Sequence, residues 1–182
     1  MAKSAGKYFT DTSLGNHYIV STAAAGVALP ISTGTALTIG LWNTSTTKNA
    51  ALTFASIGYT SGTIALGTFG VLNQYVGFNV ATAAPMAAIT LSTPKNAMLG
   101  SGRASAMSAF GATATLTTGG TACYWLAPGK ASATAALGDL NGIFHEFDGR
   151  LIVTPGQVVA LCASVAQTGI YTCSLGWVEV DV

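Results

Sequence analysis

Charged residues are the scarcest feature of this 182-residue sequence. Lys and Arg number seven and Asp and Glu six, so charged residues make up 7% of the chain and the formal net charge is +1. An ordinary soluble domain carries about 25%. Charge keeps proteins dispersed and protects the edges of their sheets, so this composition predicts self-association. A monomer with a surface of Ser and Thr hydroxyls is the alternative.

Long hydrophobic runs are also missing, although the mean hydropathy of the chain is +0.52. A membrane-spanning helix needs about 20 mostly apolar residues in a row. The most apolar stretch, Tyr18 to Trp42, contains Pro30 and is interrupted repeatedly by Gly, Ser and Thr. The N-terminus is not typical of a secretory signal, because Asp11 and His17 precede its apolar part. We therefore expect no membrane partner and synthesis in a cytoplasm.

The sequence contains none of the common motifs of enzymes or nucleotide-binding proteins. There is no GxSxG, and neither His17 nor His145 has a sequence neighbour that would mark a catalytic triad. The glycine-rich stretch 34–40 lacks the residue order of a phosphate-binding loop. Lys and Arg are spread along the chain, which does not favour nucleic-acid binding. These absences predict a protein that is not an enzyme and that uses no cofactor or nucleic-acid partner.

The densest group of ionisable side chains lies in DLNGIFHEFDGR, residues 139–150. A helical zinc site uses two histidines four residues apart, and an EF-hand uses acids at alternate positions that end on a glutamate. The segment has neither pattern, so we expect a solvated loop or a subunit contact rather than a metal site. A carboxylate pair for glycoside hydrolysis stays open, because separation in space cannot be read from sequence. The acidic candidates are Asp139, Glu146, Asp148, Glu179 and Asp181.

Cysteine is rare, and Cys123, Cys162 and Cys173 form no CxxC pair. Three cysteines are too few for a disulfide scaffold. Their sequence neighbours predict small, buried and unreactive side chains. A disulfide between Cys162 and Cys173 across a hairpin remains an alternative.

Short apolar runs alternate with Gly, Pro, Asn, Ser and Thr clusters about every ten residues, which is typical of β-sandwiches. The sequence therefore predicts an all-β, antiparallel β-sandwich with less than about 10% helix. We expect one sandwich domain, residues 16–182, after an N-terminal arm, residues 1–15. The Gly- and Thr-rich stretch 112–120 is expected to be a surface loop or an edge strand. The candidate strands are His17–Ala23, Thr35–Asn43, Ala50–Tyr59, Thr63–Leu72, Gly77–Ala81, Ala87–Leu91, Ala104–Phe110, Ala122–Leu126, Phe144–Val153, Gln157–Val165 and Tyr171–Val182.

The C-terminal third has the clearest strand pattern. A strand leads into a turn at Pro155-Gly156, and a second strand follows with alternating large and small residues. After a turn at residues 167–169 the final strand alternates again. This alternation predicts that its valines, Val178, Val180 and Val182, face the core and that Glu179 and Asp181 face solvent.

These same residues carry a resemblance to a known family. GRLIVTPGQVVAL, residues 149–161, followed by LGWVEV, residues 175–180, resembles the last antiparallel strands of the trimeric jelly-roll proteins that decorate or cement the heads of tailed bacteriophages. The resemblance implies a jelly roll, a homotrimer and a non-enzymatic structural role in the virion. It also implies a position on the outer surface of the head, with the major capsid protein as partner and the host cytoplasm as the place of synthesis.

The N-terminal arm, MAKSAGKYFTDTSLG, is the expected contact to the shell. It contains two of the seven basic residues and two aromatic residues before any regular β pattern. Such a segment is expected to become ordered against a neighbouring subunit. The candidate capsid contacts are Lys3, Lys7, Tyr8 and Phe9.

A binding module of the same fold is the alternative function. The trimeric tip of a tail fibre, or a lectin-like sandwich, would hold a carbohydrate receptor with aromatic and polar loop residues. Trp42, Tyr124 and Trp125 are the candidate aromatic residues for that role. Burial of these rings in the sandwich core is the competing interpretation.

Overall fold

The structure is a computed structural model that describes residues 6–63, 65, 67–78, 86–129 and 142–182, without the side chains of residues 87 and 127–129. Strands make up 51% of the described residues and helix 3%. The strands form three antiparallel sheets that pack together. The predictions of an all-β, antiparallel β-sandwich and of little helix are therefore confirmed.

The described residues form one short helix and fourteen strands. They are α1 (Phe9–Ser13), β1 (His17–Ser21), β2 (Ala36–Leu37), β3 (Gly40–Trp42), β4 (Lys48–Ser61), β5 (Gly67–Tyr75), β6 (Met86–Ile89), β7 (Lys95–Asn96), β8 (Ser108–Phe110), β9 (Ala114–Leu116), β10 (Thr121–Gly129), β11 (Ile143–Glu146), β12 (Ile152–Val153), β13 (Gln157–Ala163) and β14 (Ile170–Asp181).

Two larger sheets face each other, and a third covers the outer side of one of them. The front sheet has the order β11-β4-β14-β1-β7, and β12 also pairs with β4. The middle sheet has the order β10-β5-β13-β3-β8, and the back sheet has the order β2-β9-β6.

The strand pairs of the front and middle sheets are nested along the chain. β1 pairs with β14, β3 with β13, β4 with β11 and β5 with β10, all antiparallel. Among these eight strands, the first therefore pairs with the last, the second with the seventh, the third with the sixth and the fourth with the fifth. The connection between β5 and β10 supplies β7 to the front sheet, β8 to the middle sheet, and β6 and β9 to the back sheet.

The middle sheet is buried on both faces, which explains the unbroken apolar run of β13. Val159 and Leu161 belong to the cluster between the front and middle sheets, whereas Val158, Ala160 and Cys162 belong to the cluster between the middle and back sheets. A strand that is buried on both sides requires apolar residues at consecutive positions. This two-sided burial makes β13 the centre of the core.

The prediction for the final strand is wrong for Glu179 and for the orientation of the valines, and right for Asp181, which is exposed. Leu175 and Trp177 are fully buried and Glu179 is nearly so, whereas Val180 is 38% and Val182 77% exposed. The large indole of Trp177 stacks on Tyr18 at 6.1 Å and lies in the core between the two larger sheets, so it determines which side faces inward. Successive side chains of a strand point to opposite faces, so Glu179, two residues after Trp177, lies on the same inner side.

The cysteines differ from one another more than the sequence predicts. Cys162 and Cys173 are buried and all three are free, but Cys123 is exposed, so the prediction of burial is wrong for that residue. Burial raises the pKa of Cys162 and of Cys173 to about 12. Partial burial of the Cys123 thiol also raises its pKa, and this thiol donates to the Val71 carbonyl at 3.3 Å.

We expect a thiol reagent at mildly alkaline pH to modify Cys123 and to leave Cys162 and Cys173 unmodified until the protein unfolds. The thiolate is the reactive form, and burial keeps the two core thiols protonated and out of contact with the reagent. Mass spectrometry of the native protein should show one adduct, and Cys123→Ser should show none. Rapid labelling of all three residues in the native state would contradict this prediction.

Candidate functional site

The outer face of the front sheet lacks charged side chains along its three central strands. In the part of the sheet where β1, β4 and β14 pair side by side, the residues that face away from the core are small, hydroxyl-bearing or apolar. They are Ile19, Ser21, Phe54, Ser56, Gly58, Thr172, Ser174, Gly176 and Val178. Lys48 and Asp181 form an ion pair of 3.6 Å at the paired ends of β4 and β14, on the side of Ala50 and Glu179. A sheet face in contact with water is usually polar in alternation with the core. This face has hydroxyl groups but no charge, so it is less protected against association than a charged face would be.

A shallow groove of about 350 Å³ crosses the same face. Its lining includes the hydroxyls of Ser21, Ser56 and Ser174 and the ring of Phe144, which is 64% exposed and stacks on Phe54 at 5.6 Å. The Ser21 and Ser174 hydroxyls already bond to each other at 2.7 Å. The groove can offer hydrogen bonds and apolar contact, and none of its lining residues is charged.

The N-terminal segment, residues 6–16, lies across the other end of this face. Lys7 forms an ion pair with Asp148, which is in the turn after β11. The ring of Tyr8 lies 5.6 Å from the ring of His17 on β1. His17 and its neighbours Thr53 and Val178 are buried, although they are on the outer face. The segment therefore provides an intrachain cover for part of the sheet.

This intrachain contact was not expected from the sequence, which predicts order only against a neighbouring subunit. Residues 9–13 form the single turn of helix α1, and none of them is buried. Of the four candidate capsid contacts, Lys7 pairs with Asp148 in the turn after β11 and Tyr8 contacts β1, whereas Phe9 is 61% exposed. Lys3 lies outside the described residues. Phe9 therefore remains available to another molecule.

Exposed apolar side chains occur on this segment and on the loop that it contacts. Arg103 Nη1 donates to the Leu14 carbonyl, and Asn96 Nδ2 donates to the Gly15 carbonyl, each at 2.8 Å. These bonds hold the loop of residues 96–103 against the segment. The exposed apolar residues of the two elements, Phe9, Leu14, Met98 and Leu99, are here named the apolar corner. Leu99 is the most exposed of them, at 91%.

His17 connects the segment to the sheet through both of its ring nitrogens. Nδ1 lies 3.0 Å from the Thr12 hydroxyl in α1, and Nε2 lies 3.1 Å from the Thr53 hydroxyl in β4. The residue is 7% exposed. Burial lowers the pKa of His17, and the charge of Asp11 acts in the opposite direction. The sequence gives no signal for this role, because the partners of His17 come from α1 and from β4.

The ionisable residues of the segment 139–150 do not converge on a common point. His145 lies between the rings of Tyr124 and Phe147, whereas Glu146 is on the exposed side of β11. Asp148 pairs with Lys7 and, at 3.8 Å, with Arg150. Across the described ranges, no three His, Cys, Asp or Glu residues lie close enough together to hold a metal ion.

The other acidic candidates are also separated by the fold. The side chain of Glu179 is buried on the core side of β14, where its Oε1 accepts hydrogen bonds from the Ser105 hydroxyl at 2.6 Å and from the Ala106 N–H at 2.9 Å. Asp181 is exposed at the end of the same strand, and Asp139 lies outside the described residues. Glu179 therefore has the environment of a structural carboxylate.

The three candidate aromatic residues have different environments. Trp42 is buried and donates from Nε1 to the Gly77 carbonyl at 2.8 Å, and Tyr124 packs edge-on against Phe147. Trp125 is 46% exposed and lies on Gly70, where a Cβ atom would be 2.6 Å from the indole ring. Of the three, only Trp125 presents a ring that could stack on a ligand.

Comparisons with known proteins give no relative for this chain. No protein family, curated protein or solved structure matches it. In the part of the chain that the structure describes, no helix is long and apolar enough to cross a membrane.

Proposed function

We propose that this chain is a non-enzymatic structural protein of a virion, a decoration or cement subunit with a jelly-roll fold on the outer surface of a tailed-phage head. The observation that carries the proposal is the uncharged outer face of the front sheet, next to the apolar corner. Surfaces of this kind are costly on a free monomer and useful in an assembly. The major capsid protein is the proposed partner of the N-terminal segment and of the apolar corner.

The nested strand pairing supports the jelly roll. Eight strands form four antiparallel pairs, with the first strand paired to the last and the pairs divided between two facing sheets, and this is the pairing expected of a rolled double Greek key. Viral capsid domains and lectins both use this architecture. The fold therefore fits the proposed function and its alternative equally, and the surface has to distinguish them.

The homotrimer is proposed because it would cover sheet edges and apolar surface together. Among the described residues, the nine-residue strand β10 forms one edge of the middle sheet. The exposed Phe144 lies on β11, which forms one edge of the front sheet. Few charges protect these edges, and closed symmetry removes such edges from solvent. We assign the sheet edges and the uncharged face to contacts between subunits.

Deletion of residues 1–15 tests the division of roles. We expect the deletion variant to keep the trimeric mass by light scattering and to bind weakly to undecorated heads. Its weaker binding would follow from the loss of Phe9 and Leu14. Unchanged binding would remove the segment from the proposal, and a monomeric full-length protein at micromolar concentration would remove the trimer.

A pair of leucine variants tests the apolar corner without a deletion. Leu99→Ser is expected to weaken binding to heads roughly tenfold, because burial of one leucine side chain contributes about 1.5–3 kcal/mol. Leu91→Ser is the matched control, since Leu91 is also exposed but lies after β6, next to the back sheet. Equal binding of the two variants would contradict the assignment of the corner to the shell.

The exposed ring of Trp125 favours a second candidate function, a carbohydrate-binding module such as a tail-fibre tip. Aromatic rings with an accessible face are common in carbohydrate recognition because they combine apolar area with a polar edge. A glycan array with the wild-type protein and with Trp125→Ala distinguishes the two functions. Binding that requires Trp125, without binding to phage heads, would favour the module over the decoration protein.

A further inference from the structure

The attachment of the N-terminal segment to the front sheet converges on one histidine. His17 bonds to Thr12 of the segment and to Thr53 of β4, and its ring faces Tyr8. Other attachments are the exposed ion pair of Lys7 with Asp148, the two bonds to backbone carbonyls at Leu14 and Gly15, and the Glu179 N–H, which donates to the Asn16 carbonyl at 2.9 Å. The side chain of Tyr8 is partly buried. Since α1 has no buried residue, apolar burial by the helix adds little to this attachment.

We propose that residues 6–15 form a pH-sensitive strap, which leaves the outer face of the front sheet when His17 becomes protonated. The released strap uncovers Thr53 and Val178 and leaves the protonated ring of His17 in contact with water on the outer face. Release of the strap requires only that the His17 ring is buried and neutral when the strap is docked, and in contact with water when the strap is released.

The hydrogen bonds of His17 fit a neutral ring. A neutral imidazole donates from one nitrogen and accepts at the other, so one threonine hydroxyl accepts from the ring and the other donates to it. A protonated ring donates from both nitrogens, and the hydroxyl that donated must turn to accept. The hydrogen of that threonine hydroxyl then has no acceptor on the ring. The positive charge of the imidazolium is also buried, because only 7% of His17 is exposed to water. Both effects destabilise the docked strap.

The charged and titratable groups around His17 come mainly from the strap itself. Asp11 attracts a proton to the ring, and Lys7, which lies 5.4 Å from the Tyr8 ring, is held by Asp148. β4 presents Thr53, and β14 presents Val178 opposite His17, neither of which ionises. Glu179 follows on β14 with its side chain on the core side, and Lys95 on β7 is paired in register with Ile19.

The sign of the pH effect follows from the two environments of the ring. Burial lowers the pKa of His17 below its usual value of 6.5 in the docked form, and Asp11 offsets part of this shift. In the released form the ring is in water and its usual pKa applies. Docking is therefore fully favoured above about pH 6.5 and weakens as the pH falls through the lowered pKa. Within that interval, the ratio of released to docked strap rises by up to about tenfold per pH unit.

The consequence for assembly rests on the proposed function. If the segment contacts a shell, acidification changes how the subunit presents Phe9 and Leu14 to it. The strap itself is a property of the free chain, so its test needs no particle and fails or succeeds separately from the decoration role.

Nuclear magnetic resonance of the full chain between about pH 8 and pH 5 provides the test. The ring carbon shifts of His17 report its protonation, and proton–proton contacts between Thr12 and the His17 ring, whose Nδ1 lies 3.0 Å from the Thr12 hydroxyl, report docking. We expect these contacts to disappear in step with protonation of the ring, while the signals of Trp177 in the core stay unchanged. A contact that persists after His17 is protonated would overturn the proposal.

Two variants separate His17 from the neighbouring carboxylates. His17→Gln cannot take up the proton, so its strap should respond to pH at least tenfold less than that of the wild type. Lys7→Gln removes the ion pair with Asp148 but keeps the ring, so release should still follow protonation of His17. The same pH response in His17→Gln as in the wild type, or release in Lys7→Gln that does not follow protonation of His17, would also overturn the proposal.

Discussion

Gly40→Ala should destabilise the protein by at least about 3 kcal/mol, which is a large part of the stability of an ordinary domain. Gly40 is in β3, between β13 and β8. A Cβ atom there would lie 2.2 Å from the Val159 carbonyl oxygen and 2.6 Å from the Phe110 ring. The backbone of β13 cannot move away, because both of its faces are packed. Chemical denaturation monitored by circular dichroism measures the loss.

Gly102→Ala is the matched control for this substitution. Gly102 is exposed, has no left-handed φ, and has no atom within 4 Å of the place that a Cβ atom would take. The same change is expected to leave the free energy of unfolding within about 1 kcal/mol of the wild type, or to raise it slightly by restricting the unfolded chain. If both variants unfolded at the same denaturant concentration, the close packing around Gly40 would not be a determinant of stability.

The sandwich and its last hairpin could be predicted because their signals are local. Alternating residues around Pro155-Gly156 lead to β12, β13 and β14, near the predicted positions. The predicted strand Phe144–Val153 is divided in two, because Asp148 and Gly149 have positive φ values of 54° and 71° and form a turn. Positive φ values at both central residues and the bond from the Arg150 N–H to the Phe147 carbonyl define a type I′ turn. Asp-Gly is a strong sequence signal for this turn, so this break in the strand was open to prediction.

The back sheet could not be predicted, because its strands are two to four residues long and pair across distant parts of the chain. The stretch 112–120, expected to be a loop or an edge strand, supplies β9, which is the central strand of this sheet. Ala114 and Leu116 are buried there. Of the predicted strand Gly77–Ala81, residues 77 and 78 are not in a strand and the remainder lies outside the described residues. Short strands obtain their stability from the layer they cover.

The sequence also could not predict which face of β14, the strand opposite His17, is turned toward the core. Alternation in β14 shows that Val178 and Glu179 have opposite orientations, but either face could be apolar, since the strap covers one side and the core the other. Only the pairing of β14 with β1 and the stack of Trp177 on Tyr18 determine the inner face. Glu179 is thereby placed in the core, and its environment leads to the second large effect on stability.

Glu179→Ala should destabilise the protein by about 3 kcal/mol, since hydrogen bonds to a charged group contribute about 1.5–3 kcal/mol and buried donors that lose their acceptor add a penalty. The carboxylate holds the loop before β8, where it accepts from the Ser105 hydroxyl and the Ala106 N–H. Ser105 in turn accepts from the Met107 N–H at 3.0 Å, which places the partly exposed loop over the core. Loss of the carboxylate therefore frees three consecutive residues.

Glu179→Gln separates the charge of this side chain from its shape. The amide oxygen of glutamine can still accept from both donors at the position of Oε1, so we expect a loss of only about 1 kcal/mol. Ser105→Ala should fall between the two variants, because it removes one bond to Glu179 and the acceptor for Met107. Denaturation midpoints for the three proteins, measured at one pH, give this order directly. If Glu179→Ala were as stable as Glu179→Gln, the hydrogen bonds to the loop would contribute nothing, and solvation of the carboxylate alone would explain its tolerance in the core.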